Sequence, residues 1–264
     1  MINVLQITDC HLVVEDSLLI GVDTQASLEA VLRQATAGRT PDAVIASGDL
    51  AHDPLPAVYE RFLATVRQYT DAPLVCTPGN HDVLAAMSAL PQNDLRIGGW
   101  AIVSLDSHED ESTPANVTAD DRSRVQQYLE ATDAEHILLT AHHPFVAVGA
   151  PWLDRDRIQD AEELVKLLTG RSRSGANALT IGRVRAIVFG HAHQEVSGRC
   201  ANLPVYGAPS TCFQFKPHSQ TFAIDDHGDG RYPGFRWIEL QADGAVTTQV
   251  GRAKDFLIEP LLKR

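Results

Sequence analysis

Five places in this sequence set metal-competent side chains directly after a short apolar run. They hold Asp9 and His11, Asp49, Asn80 with His81, His142 with His143, and His191 with His193. Carboxylate, amide oxygen and imidazole form a mixed hard and borderline donor set, suited to Mn, Fe or Zn better than to Ca. No cysteine stands among them, which argues against a structural zinc. In Asp9-x-His11 and His191-x-His193, alternate residues of an extended chain point the same way, so each pair is expected to face one cluster. So many donors exceed one tetrahedral ion and suit two ions sharing a carboxylate. A single such cluster would be ordinary turn chemistry, since Gly, Asn and Asp are common in turns. A lone histidine usually packs or faces water, and His52, His108, His136, His218 and His227 are read that way. Five clusters at one topological position are a site.

The elements that must position these residues alternate in type. Apolar runs at 3–7, 43–46, 73–76, 101–105, 137–141 and 186–189 predict strands, each short and continuous as where both sheet faces are covered. Helical spacing predicts helices over 24–37, 56–69 and 158–169, one over 118–131 capped by Thr118, and a short one over 82–90 capped by Asp82 or leaving Asp82 to orient His81. This β-α-β-α-β order is that of an α/β fold with parallel strands, where ligands bind beyond the carboxyl ends of the strands. Pro78 and Gly79 stop the third strand, Gly by permitting positive φ. After residue 193 the rhythm turns to β, with runs at 203–206, 211–215, 221–224, 235–240 and 245–250, and an Asp243-Gly244 hairpin turn between the last two. The polar stretch 170–183 reads as an exposed loop. Residues 1–264 are expected to form one domain.

At net charge −12, the 264-residue chain is a poor partner for a nucleic-acid polymer, which needs clustered Lys and Arg. Bound cations would still let it take a small anion. Cys10, Cys76, Cys200 and Cys212 are widely spaced and read as free buried thiols. No signal segment and no apolar run of membrane length are apparent, so a cytoplasmic location without membrane contact is expected. A monomer or homodimer is compatible with hairpin edges in the β-rich part.

Asp9-x-His11, Gly48-Asp49, Gly79-Asn80-His81-Asp82, His142-His143-Pro144 and Gly190-His191-x-His193 together resemble the signature of the calcineurin-like metallophosphoesterases. Gln6-Ile7-Thr8-Asp9, Trp152-Leu153-Asp154 and the run Ala208 to His218 are similar to the bacterial class III 3',5'-cyclic-AMP phosphodiesterases within that superfamily. The resemblance implies a four-layer α/β/β/α sandwich of two mixed sheets flanked by helices, with the β-rich part 203–251 in the second sheet. It implies one metal on Asp9, His11 and His193, a second on Asn80, His142 and His191, and Asp49 bridging them. The ions would be Fe and Mn, with Zn or Co as alternatives. The activity implied is hydrolysis of 3',5'-cyclic AMP to 5'-AMP through attack by a metal-bridging hydroxide.

His81, next to a ligand, is the candidate to protonate the leaving oxygen or stabilise charge, with Asp49 as the other catalytic residue. Trp152 and Phe213 are candidates to line the nucleoside pocket beside His81. A broader phosphodiesterase acting on glycerophosphodiesters or 2',3'-cyclic nucleotides is the alternative, and a metal-bound scaffold without turnover is the reading from another class. The chain departs from the family pattern at Cys10, read as packing, in the glycine-free segment 114–117, and in the length of 170–183.

Overall fold

The computed structural model describes residues 1–92, 94–170 and 182–258. The predicted loop at 170–183 lies almost wholly outside the described residues. Two mixed sheets carry the chain. In the first, β1 (Ile2–Ile7), β2 (Ala43–Ser47) and β3 (Leu74–Thr77) run parallel in that order. On the far side of β1 lie β10 (Gly234–Leu240), antiparallel to it, and then β11 (Val246–Arg252), antiparallel to β10. The second sheet orders β4 (Leu95–Ile97), β5 (Trp100–Ser104), β6 (His136–Thr140), β7 (Val184–Phe189), β9 (Leu203–Gly207) and β8 (Val196–Cys200). Strands β5, β6, β7 and β9 are parallel, and antiparallel β4 and β8 close the edges.

Strand alternation builds three cores from these two sheets. Val4, Ile45 and Val75 of the first sheet meet Ile102, Leu138 and Val188 of the second in the middle. Their neighbours Leu5, Val44 and Ala46 face outward onto α1 (Thr24–Thr36) and α2 (Pro56–Tyr69). On the other side Val103, Leu139 and Ile187 pack on α3 (Ala119–Ala131) and α5 (Ala161–Leu168), with α4 (Pro151–Asp154) a single turn before α5. This is the four-layer α/β/β/α sandwich. Thr118 caps α3 as expected, accepting from the Asp121 amide at 3.1 Å. Among the described residues no helix is long and apolar enough to cross a membrane.

Four expectations change. The β-rich part is split between the sheets: β9 joins the second, while β10 and β11 extend the first. Residues 211–215 and 221–224 form no strands and share only an isolated bridge, Phe215 to Ile224. The Thr211 amide donates to Thr8 O at 3.0 Å and its carbonyl accepts from Ser27 Oγ, so its backbone bonds serve the site rather than a ladder. The helix expected over 82–90 is only a 3-10 turn, Met87–Ala89, cut short before Pro91. The helix expected over 158–169 is reduced to α5, because the Ile158 amide turns away to Pro144 O.

Candidate metal centre

The loops leaving β1 and β2 are laced together past the strand ends. The Asp9 amide donates to Gly48 O, His11 to Asp49 O and Leu12 to Leu50 O, at 2.9, 2.9 and 3.1 Å. The loops leaving β6 and β7 are joined by Gly190 N to His142 O at 3.0 Å. Both sheets therefore deliver their carboxyl ends to one place.

Extended alternation is not what turns the paired candidates inward. Asp9, His11, Asp49, His191 and His193 all have positive φ, between 45° and 61°. Non-glycine residues in this left-handed region cost roughly 1–3 kcal/mol each, and such strain gathers where a site requires it. Each left-handed residue reverses the chain, so Cys10 between two of them points into the core beside Leu28 and Leu32. The glycine at 79 is required for a reason other than positive φ. A Cβ there would lie 2.3 Å from both Asp49 N and Asp49 Oδ1. Gly48 has φ +95°, and a Cβ on it would meet His142 Nδ1 at 2.3 Å.

Seven side chains converge. His11 Nε2 and His193 Nε2 are 3.1 Å apart, and His193 Nε2 is 3.3 Å from Asp9 Oδ1. Asn80 Oδ1 lies 3.1 Å from His142 Nε2 and 2.9 Å from His191 Nδ1. Asp49 Oδ2 lies between these groups, 3.6 Å from His11 Nε2 and 3.4 Å from His142 Nε2. Its other oxygen, Oδ1, accepts from the His81 amide at 2.8 Å, so the carboxylate cannot turn away. Donors about 2.0–2.2 Å from a shared ion stand roughly 3–3.5 Å from one another, the spacing found here.

Second contacts set which nitrogen faces inward. His142 Nδ1 donates to Ser47 O at 2.9 Å and His193 Nδ1 to Phe213 O at 2.7 Å, so in both rings Nε2 is the atom that faces the centre. Burial pushes His11 and His191 well below their ordinary range, so both imidazoles are neutral. Burial would raise the Asp49 carboxyl, but the His142 charge and hydrogen bond hold it well below its usual value. Burial would likewise lower His142, yet Asp49 beside it raises it to about 9. Asp9 and Asp49 are 0% and 2% exposed; the backbone amides of His191 and His81 donate to them, and the side chains paired with their oxygens are imidazoles. Two buried carboxylates so placed need positive charge, and divalent cations fit the donor set.

A consequence in pH follows. Below about pH 9 the metal-free protein keeps a proton on His142, and a cation must displace it. Metal affinity is expected to rise with pH up to about 9, and loading near neutral pH should release about one proton for this group. Titration calorimetry in buffers of different ionisation enthalpy reads that proton directly. Uptake without proton release would overturn the ion pair.

The remaining candidates fall in different places. His143 is buried and both ring nitrogens are engaged, Nδ1 with Ser107 Oγ and Nε2 with Thr113 O, each at 2.9 Å. Burial and His142 lower it to about 3, so it braces His191 as a neutral ring, 4.8 Å between centroids. Asp82 neither caps a helix nor touches His81. Its buried carboxylate accepts from the amides of Leu50, Ala51 and Gly79 and from Tyr59 Oη at 3.0 Å, tying the β2 and β3 turns to α2. Phe213, only 4% exposed, backs the rings of His11 and His193 and leaves little ring surface for a bound molecule. Trp152 packs on Phe215 and Phe222, and it is Phe215 that stacks on His193, 4.0 Å between centroids. His81 is exposed, with its ring edge-on to His11 at 4.8 Å. His52, read from sequence as an ordinary histidine, lies against His81 and His11. Its position three residues after Asp49 was the available signal.

The family model for calcineurin-like phosphoesterases matches residues 2–195. Over 269 residues the chain is 34% identical to the 3',5'-cyclic adenosine monophosphate phosphodiesterase CpdA of Escherichia coli K12, covering 98% of this chain and 92% of that one. It is 31% identical to the 3',5'-cyclic-nucleotide phosphodiesterase alr5338 of Nostoc, covering 98% and 96%. Among solved structures, purple acid phosphatase PPD1 from yellow lupin seeds superposes with a TM-score of 0.61 at 12% identity, over 98% of this chain and 52% of the other. That last likeness concerns the fold.

Proposed function

Because the chain belongs to the calcineurin-like phosphoesterase family, we propose that it is a dinuclear-metal phosphodiesterase that hydrolyses 3',5'-cyclic AMP to 5'-AMP. The relatives named for that activity span nearly its whole length, which supports the substrate class. The observation that carries the reading is Asp49: one carboxylate oxygen faces two separate donor groups while the other is tied to the His81 amide. Asp9, His11 and His193 would hold one ion, Asn80, His142 and His191 the other, with Asp49 shared. The donors suit Fe and Mn, and equally Zn or Co.

Divalent ions bound there would supply positive charge to the non-bridging phosphate oxygens and lower the pKa of water from about 15.7 toward about 7. The chain's own residues do the rest. Asp49 fixes the spacing of the two donor groups and keeps a negative wall beneath the phosphate. Water that has given up a proton to solvent adds to phosphorus, the bond from phosphorus to the 3' oxygen breaks, that oxygen takes a proton from His81, and His81 regains one from solvent. The product is a 5'-monophosphate with a free 3' hydroxyl. His81 suits this role because its ring is exposed beside the ligands yet is not required to hold them.

Steady-state turnover of 3',5'-cAMP, cGMP, 2',3'-cAMP and an aryl phosphodiester tests the reading, with metal content measured on the same samples. The highest kcat/KM is expected for 3',5'-cAMP. Preference for 2',3'-cAMP or the aryl ester would indicate a broader phosphodiesterase. No turnover of any of them by fully loaded protein would leave only a scaffold.

A further inference from the structure

His81 has a backbone anchor but a free side chain. Its amide is bound to Asp49 Oδ1 at 2.8 Å, whereas no hydrogen bond from its ring is present among the described residues. An exposed imidazole on a turn would sample several rotamers, and only some of them would place it beside the ligand group. What restrains it is two other rings. His11 meets its edge at 4.8 Å between centroids and 83°, and His52 lies nearly parallel to it at 5.1 Å and 28°.

His52 is well placed to be the fixed member of that stack. It follows Asp49 by three residues, and its amide donates to Leu12 O at 2.9 Å, in the laced loops that hold the ligands. The next residue repeats the attachment: the Asp53 amide also reaches Leu12 O, and Asp53 Oδ2 accepts from Val14 N at 2.8 Å. Among the described residues the His52 ring makes no hydrogen bond, and its Nδ1 is buried without a partner. A buried unpaired nitrogen is unfavourable and calls for an explanation. Packing alone would be served better by an apolar side chain. The ring's engagement is with His81 and, at 5.9 Å, with His11.

We propose that His52 is the positioning residue for His81, its imidazole face holding the His81 ring against His11 at the rim of the ligand group. Centroid separations of about 4.5–7 Å are those at which aromatic pairs attract, and a pair of this kind shifts a rotamer equilibrium by about 2- to 10-fold. The consequence for turnover rests on the reading of His81 as the proton donor. The consequence for the ring does not.

His52→Ala is expected to lower kcat by about 2- to 10-fold while KM for cyclic AMP and metal content stay unchanged. His52→Phe, which keeps an aromatic face, should restore most of that loss, and His52→Leu, which fills the space without a face, should not. In a His81→Ala background, His52→Ala should cost nothing more, because the ring it holds is gone. Side-chain NMR gives a readout apart from activity: the His81 ring protons should lose their ring-current shift and average between rotamers in His52→Ala and His52→Leu. An equal loss of kcat with or without His81, or His81 signals unmoved in either variant, overturns the proposal. If His81→Ala alone leaves turnover intact, the proton-donor reading fails, and the NMR result still decides whether His52 holds the ring. If His52→Ala does not fold, the Leu and Phe variants carry the same comparison.

Discussion

Asp49→Asn is expected to yield a folded protein that retains neither ion and turns over cyclic AMP at least about 10³-fold more slowly. The shape is preserved, but the hydrogen-bonding pattern is not. Asp49 uses one oxygen to accept the His81 amide and the other to face His11 Nε2 and His142 Nε2. An amide has only one oxygen. If that oxygen stays on the His81 amide, an NH2 group faces the donor atoms and would repel a cation. If the amide flips, its NH2 meets the His81 N–H, donor against donor, and the β3 turn is pushed away. Both arrangements also remove a negative charge from between the two groups. Elemental analysis of the purified variant, with circular dichroism to confirm folding, measures the result. Full occupancy of both sites in Asp49→Asn would sink the shared-ligand role.

His81→Ala should behave in the opposite way, keeping its ions while losing rate by roughly 10²–10⁴. The contact that His81 makes to Asp49 comes from its backbone amide, which alanine retains. Among the described residues its ring meets His11 edge-on and stacks on His52 without a hydrogen bond to either, so the proposed ligand set should survive its removal. The loss should depend on the leaving group. Expulsion of the 3' oxygen of cyclic AMP needs a proton, whereas an aryl oxide with a much lower pKa does not. A far smaller loss on the aryl phosphodiester would identify His81 as the proton donor, and equal losses on both substrates would assign it to phosphate binding instead. Depletion of metal in this variant would make His81 a ligand.

Much of the centre is legible in sequence because its donors sit at the carboxyl ends of successive parallel strands. An apolar run of four to six residues followed by Asp, Asn or His can be read locally, and five of them in one chain point to a common site. The helices α1, α2 and α3 are equally local, set by apolar periodicity and, for α1 and α3, by the caps Asp23 and Thr118.

What sequence could not decide were relations between segments far apart in the chain. Residues 211–215 have strand-like composition, yet the backbone bonds of Thr211 go to Thr8 and Ser27, about two hundred residues away. The sheet that takes up β10 and β11 depends on which edge of β1 is open, and no local pattern records that. Asp82 looked like a helix cap because caps are defined by their neighbours, but its partners come from β2, β3 and α2. Its place three residues after Asp49 was the one local mark separating His52 from any surface histidine, and only the lacing of the β1 and β2 loops gives that mark a meaning. Residue types at strand ends thus determined what chemistry this chain can do. The tertiary structure decided, through left-handed turns and contacts between loops, which of those residues meet and which ring stands behind His81.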